Sequence, residues 1–405
     1  MGSNAQRAAK QRLRPARMAV DTFFFVNGVM SATFSTRLPA VQMKLVLPPG
    51  QLGLALLACT MGGLLATNLA GRLSLRFGSK VITTLAAVSA CITLSLVALA
   101  PGMPLFLLAL ILFGAGSGAM EVSMNLQGAA LEREYGRSIM NAFHAYFSVG
   151  SLAGAVLGSL LAALAVQPEP HFSAITVVGC VVLVWSSRFL FSSKEEQRVQ
   201  KQPAKIAPSF HLSPTLMMLG VIAFCSFLGV GAMFDWSAVY LSGTVHTGAG
   251  LAAMGFTTFL VCMALGRSGG DALATRFGAR VLVRSACLLA AMGLALALIC
   301  AWTPGVLFGL GLVGMGLSVP FPLVVSAAGR LAKRERSSAL ATVTTWGYGG
   351  LIAGPALIGF LADRAGVRLA LAPVVVLFVL AALCAPALKA AEGSLQDGER
   401  TSSPL

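Results

Sequence analysis

The chain repeats itself across 200 residues without a gap. Leu73-Ser74-Leu75-Arg76-Phe77-Gly78-Ser79-Lys80-Val81 returns as Leu273-Ala274-Thr275-Arg276-Phe277-Gly278-Ala279-Arg280-Val281. Leu, Arg, Phe, Gly and Val are identical, and Lys80 becomes Arg280. The same offset pairs Gly50 with Gly250, Gly114 with Gly314, Gly116 with Gly316, Gly150 with Gly350 and Gly154 with Gly354. A fixed offset of this length means two copies of one structural unit. Whatever the first half builds, the second half builds again.

Hydropathy says what that unit is. Hydrophobic residues make up 57% of the chain and charged residues 11%, against about 25% charged in a typical soluble domain. Mean hydropathy is +0.83. Apolar runs of about 20 residues recur, each long enough to cross a hydrocarbon layer of about 30 Å as a helix. Twelve are read: 18–38, 50–71, 81–100, 104–130, 139–165, 171–191, 215–241, 249–270, 281–301, 304–328, 337–362 and 369–388. Six lie on each side of a polar stretch, 192–214, with Lys194, Glu195, Glu196, Arg198, Lys201, Lys205 and three prolines, which reads as a linker. The expected fold is an all-α membrane protein with twelve transmembrane helices in two pseudo-symmetric six-helix bundles, 18–191 and 215–388. A basic tail, 1–17, precedes them and a second tail, 389–405, follows. Parallel repeats of this kind characterise one large class of transporters, in which solute binds near the bilayer midplane between the halves.

The net charge of +15 invites a nucleic-acid reading, but its distribution points to the membrane. With twelve spans and both termini on one side, only Arg37, Lys44, Arg364 and Arg368 fall on the opposite side; every other one of the 29 Lys and Arg residues falls with the termini. This is the positive-inside pattern, so both termini are expected to be cytoplasmic and no nucleic-acid partner is expected. The run after the basic residues Arg7–Arg17 is too long for a cleavable signal. Short loops and the lack of any N-x-[ST] sequon agree with a bacterial inner membrane.

Enzyme motifs fail on context. Gly309-Leu310-Gly311-Leu312-Val313-Gly314 matches G-x-G-x-x-G literally, but a dinucleotide site needs a preceding strand and an aqueous helix N-terminus. Here the glycines sit inside an apolar run, where small residues let helices approach closely. Walker A and H-E-x-x-H sequences are absent. The eight cysteines all fall in expected helices without metal-ligand spacing. Neither enzyme, metal site nor cofactor is expected.

The repeated segment resembles the loop between the second and third helices of the major facilitator superfamily, G-x-L-x-D-R-x-G-R-[KR]. Gly71, Leu73, Arg76, Gly78 and Lys80 fit, and Arg276, Gly278 and Arg280 carry the second copy; Leu75 and Thr275 stand where the family has Asp. Three further segments look more like bacterial YbjJ-like permeases and, more distantly, the fucose-permease-like branch: Gly114 to Asn125, Phe143-His144 to Gly150, and Asp235-Trp236 to Leu241. The resemblance implies secondary transport. In the fucose-permease-like branch a fourth-helix glutamate is tied to proton coupling and sugar binding, and Glu121 matches it. That branch's first-helix Asp falls on Ser35.

Polar residues at depth mark the candidate site, because charges in hydrocarbon cost roughly 2.5–3.5 kcal/mol each on insertion scales and usually line a cavity. Of fourteen acidic residues, only Glu121 and Asp235 lie well inside a span. Glu121 sits about 17 residues from the outer end of its helix, roughly 25 Å. Asn125 lies one turn further in on the same face, and His144 is read at about that height on the next helix. The three are candidates for proton coupling or substrate binding, with interhelical hydrogen bonding as the alternative. Arg37 and Asp235, in helices 1 and 7 towards the outer face, are candidates for an outer gate pair; the alternative is a local partner for each. Tyr146, Trp236, Tyr240, Trp346 and Tyr348 combine ring and polar tip and are candidates for lining a substrate cavity, or else for packing.

The expected function is secondary active transport of a small polar or amphipathic solute, coupled to protons, by alternating access of two six-helix halves. The protein is expected to act as a monomer whose partners are solute, protons and lipid. An efflux antiporter, a passive channel and a non-transporting receptor or scaffold are the rivals.

Overall fold

A computed structural model describes residues 2–193, 195–196, 213–330 and 336–389. Among them the chain is helical throughout, without strands. The helices are α1 (Gly2–Lys44), α2 (Pro49–Phe77), α3 (Ser79–Leu99), α4 (Met103–Tyr135), α5 (Met140–Ala163), α6 (Pro168–Ser187), α7 (Pro214–Gly243), α8 (Ala249–Phe277), α9 (Ala279–Ile299), α10 (Thr303–Leu317), α11 (Pro320–Arg330) and α12 (Arg336–Cys384). The basic tail is helical from Gly2 and runs straight into the first span. Most of the expected linker, 194 and 197–212, and the tail from 390 lie outside the described residues.

All twelve apolar runs fall in helices, but they are not partitioned as twelve separate spans. Ten helical stretches among the described residues, with α10 and α11 counted as one, are long and apolar enough to cross a membrane. The first helix falls short because Asp21, Asn27, Ser31, Thr33, Ser35 and Thr36 dilute its apolar run. The tenth run is broken at Pro320, whose missing N–H interrupts the helical ladder, giving α10 and α11. The last two runs form α12, broken inside at Gly366, where φ is 79°.

The chain divides into two compact units: Met1–Leu47 with Ala55–Ala204, and Pro48–Leu54 with Lys205–Leu405. In the first, α1 packs on α5, and α3 on α4 and α6; in the second, α7 packs on α12, α9 on α10 and α12, and α8 on α10. The repeated glycines explain why both halves pack alike. A Cβ on Gly114 would lie 1.9 Å from the Cys59 carbonyl oxygen, and one on Gly314 would lie 2.2 Å from that of Phe259. Gly116 would meet the Ala90 nitrogen at 2.8 Å and Gly316 that of Ala290 at 2.6 Å. Both partner pairs are themselves 200 residues apart. Gly150 presses on Phe25 and Gly350 on Phe224 in the same way. These contacts are backbone against backbone, which only a hydrogen side chain allows. The literal G-x-G-x-x-G resolves likewise: Gly309 lies against Gly293 of α9, and Gly314 against Phe259 of α8.

Candidate functional site

The loop motif builds a helix start twice. Gly78 and Gly278 have φ of 87° and 80° and immediately precede α3 and α9. Arg76 stands 5.2 Å over the Phe77 ring, and Arg276 stands 5.2 Å over Phe277. Lys80 Nζ donates to the Arg188 carbonyl at 3.1 Å. The first copy has more around it. A cavity of about 170 Å³ is lined by Ser74, Arg76, Gly78, Ser79, Arg133 and Glu196 among others. Gln127, 1% exposed, anchors this corner. Its Nε2 donates to Ser79 Oγ at 2.7 Å, to the Phe191 carbonyl at 2.9 Å and to Glu196 Oε1 at 2.7 Å, while its Oε1 accepts from the Phe191 N–H at 2.9 Å. Glu196 also accepts from the Ser79 N–H at 3.2 Å and from its hydroxyl. The stretch after α6 is thereby tied to the ends of α3 and α4. Sequence reasoning misses Gln127; an amide in an otherwise apolar helix is the signal that could have found it.

On α4, Glu121 is exposed at mid-helix and Asn125 is half-buried. Asn125 Nδ2 donates to the Glu121 carbonyl at 2.8 Å, so the amide turns back along its own helix. His144, on the second turn of α5, is exposed and stands edge-on to Phe24 of α1, ring centroids 5.1 Å apart. Tyr146, 44% exposed, lines a cavity of about 360 Å³ together with Met18, Asp21, Thr22, Phe25 and Gly179. Asp21, towards the N-terminal end of the first apolar run, pairs with Arg17 at 3.9 Å.

The remaining candidates part company. Arg37, 3% exposed, donates through Nη2 to the Val166 carbonyl in its own unit. Asp235 is half-buried on α7. Trp236 and Tyr240 are sealed, 0% and 1% exposed, and the Tyr240 hydroxyl donates to the Ala297 carbonyl of α9 at 3.0 Å. One turn apart on α7, both rings are packed inside the second unit in this structure. Trp346 lies against Gly220, whose Cβ would fall 2.9 Å from its ring. Tyr348 is 44% exposed, with its ring 6.2 Å from that of Phe227. All eight cysteines are free thiols. No His, Cys, Asp or Glu grouping fit for a metal occurs among the described residues.

Long apolar helices, duplicated backbone contacts and a few polar groups at depth define a multi-pass α-helical membrane protein built as two repeats. The sequence profile of the Major Facilitator Superfamily matches residues 22–311 and 256–402. An uncharacterized MFS-type transporter of Yersinia pestis is 32% identical over 365 residues, spanning 90% of this chain and 94% of the relative. The uncharacterized transporter y4wD of Sinorhizobium fredii is 32% identical over 385 residues, 94% and 100% of the two chains. Membrane protein MosC of Rhizobium meliloti is 31% identical over 364 residues, 90% and 88%. The chain belongs to the Major Facilitator Superfamily. Among solved structures, a bacterial homologue of the lysosomal transporter Spinster, inward-facing and occupied, superposes with a TM-score of 0.72 at 15% identity, covering 95% of this chain and 98% of that one. A point mutant of the nucleoside transporter NupG gives 0.71 at 13% identity, covering 93% and 99%. At these identities the likeness is one of fold.

Proposed function

We propose that the protein is a secondary active transporter of a small polar or amphipathic solute, driven by protons that Glu121 carries. It works in the inner membrane with both termini cytoplasmic. The observation that carries this reading is the exposed carboxylate of Glu121 at the middle of a helix otherwise made largely of Leu, Ala, Gly and Met. A carboxylate at that depth is costly unless it faces a water-accessible pathway, and a group that gains and loses a proton there has the chemistry coupling requires. Asn125 on α4 and His144 on α5 are the polar groups this reading assigns to assist it. Supporting the class, the superfamily profile and the three relatives above span nearly the whole chain.

The test is a solute screen by thermal shift on purified protein at pH 5.5 and pH 7.5, with Glu121→Gln beside the wild type. Hits are then carried into proteoliposomes with an imposed pH gradient. Coupling through Glu121 requires uptake driven by the gradient in wild type and only equilibrative exchange in Glu121→Gln. Uptake by Glu121→Gln that still follows the gradient removes the residue from coupling.

A further inference from the structure

We infer that the outer end of the first unit holds a small monovalent anion, a halide or a carboxylate, between Arg37 of α1 and His171 of α6. Both side chains are 3% exposed. Nη2 of Arg37 reaches the Val166 carbonyl, while its Nε and Nη1 have no hydrogen-bond partner in the protein, and neither has Nδ1 or Nε2 of His171. Two nine-tenths-buried side chains on helices that pack together thus leave four nitrogens unmatched, three of them donors when the imidazole is neutral. A buried polar group without a partner costs about 1–3 kcal/mol, more when charged.

The local charges argue for an anion over water alone. Lys44 pairs with Glu169 at 2.6 Å and also donates to the Ala98 carbonyl at 2.7 Å. Glu169 is the acidic group whose charge reaches Arg37, so one carboxylate stands against two fixed cations, Arg37 and Lys44. Water can fill hydrogen bonds but leaves a buried guanidinium uncompensated, and an uncompensated buried charge is strongly destabilising. The backbone adds to the attraction. His171 lies in the first turn of α6, which starts at Pro168 after Gln167, a residue that makes no side-chain cap. Helix N-termini favour negative charge, and the first turn of this 20-residue helix already carries Glu169. Arg37, His171 and the first turn of α6 form the site; Lys44 and Glu169 close its rim.

The test is thermal unfolding of the purified full-length protein in chloride, bromide and acetate, with sulfate at matched ionic strength as the bulky divalent control. Wild type is expected to show a saturable rise in Tm with one or more of the monovalent anions and none with sulfate. His171→Leu, which keeps bulk and removes both nitrogens, is expected to lose that rise. Lys44→Met, which leaves the Glu169 carboxylate to face Arg37 alone, is expected to weaken it. Bromide located by anomalous scattering beside Arg37 would establish the site directly. A response to chloride but not acetate identifies a halide site, and the reverse identifies a carboxylate site. Equal Tm in all four salts, or an anion response unchanged in His171→Leu, overturns the inference. Because no transport assay is involved, a failure here is separable from a failure of proton coupling at Glu121.

Discussion

Alanine at Gly114 or Gly314 should destabilise the protein, and alanine at Gly71 or Gly269 should stabilise it, although all four are helical glycines. At Gly114 the new Cβ would stand 1.9 Å from the Cys59 carbonyl oxygen, and at Gly314 2.2 Å from that of Phe259. Ordinary contact begins near 3.4 Å. The helices must therefore part by about 1.5 Å at Gly114 and about 1.2 Å at Gly314. The opposing atom is backbone, so no rotamer change relieves the clash. Overpacking of this kind costs about 1–3 kcal/mol, often more against backbone, set against about 1 kcal/mol of helix propensity gained by replacing Gly. With a backbone clash at the upper end of that range, the net is a loss of up to about 2 kcal/mol. At Gly71 and Gly269 a Cβ meets nothing within 4 Å, so alanine only restricts the unfolded chain and gains about 0.4–1 kcal/mol. Each six-helix half is in the size range where 1 kcal/mol moves Tm by about 2–4 °C. Thermal denaturation of the four variants in one detergent reads the difference. If Gly114→Ala and Gly71→Ala shift Tm in the same direction, the close-approach argument is wrong for these helices.

Three further substitutions separate structural from functional roles. Gln127→Leu strips the buried amide that holds Ser79, Phe191 and Glu196; it should cost about 1–3 kcal/mol and speed proteolytic cleavage after α6, and unchanged cleavage would refute the anchoring role. Tyr240→Phe removes one buried hydrogen bond, to the Ala297 carbonyl, and should lower stability by about 0.5–1.5 kcal/mol while leaving solute affinity intact. A large affinity loss would return Tyr240 to the cavity. Gly78→Ala and Gly278→Ala both force a residue with a Cβ to φ above 80° or at it, a strain of about 1–2 kcal/mol. Only Gly78 also meets Ser193 Oγ, at 1.9 Å, so Gly78→Ala should unfold at the lower temperature of the two.

What can be read from the chain alone is whatever is periodic or local. Apolar length places every span within a helix, because a helix long enough to cross hydrocarbon must satisfy its own backbone and needs no distant partner. The 200-residue repeat locates the glycines at which helices touch and the positive-φ glycines before α3 and α9, since duplicated sequence meets duplicated neighbours. Glu121 stands out because one charge in an apolar run is visible without a structure. Partners far along the chain decide the rest. Arg37 finds Val166, 129 positions away, where its charge alone points to Asp235. Tyr240 finds Ala297 and becomes core. Gln127 draws its meaning from Phe191 and Glu196. A side chain's type states what it can bond, but which bond it makes depends on what packing carries to it, and for these residues only the tertiary structure brings the partner within reach.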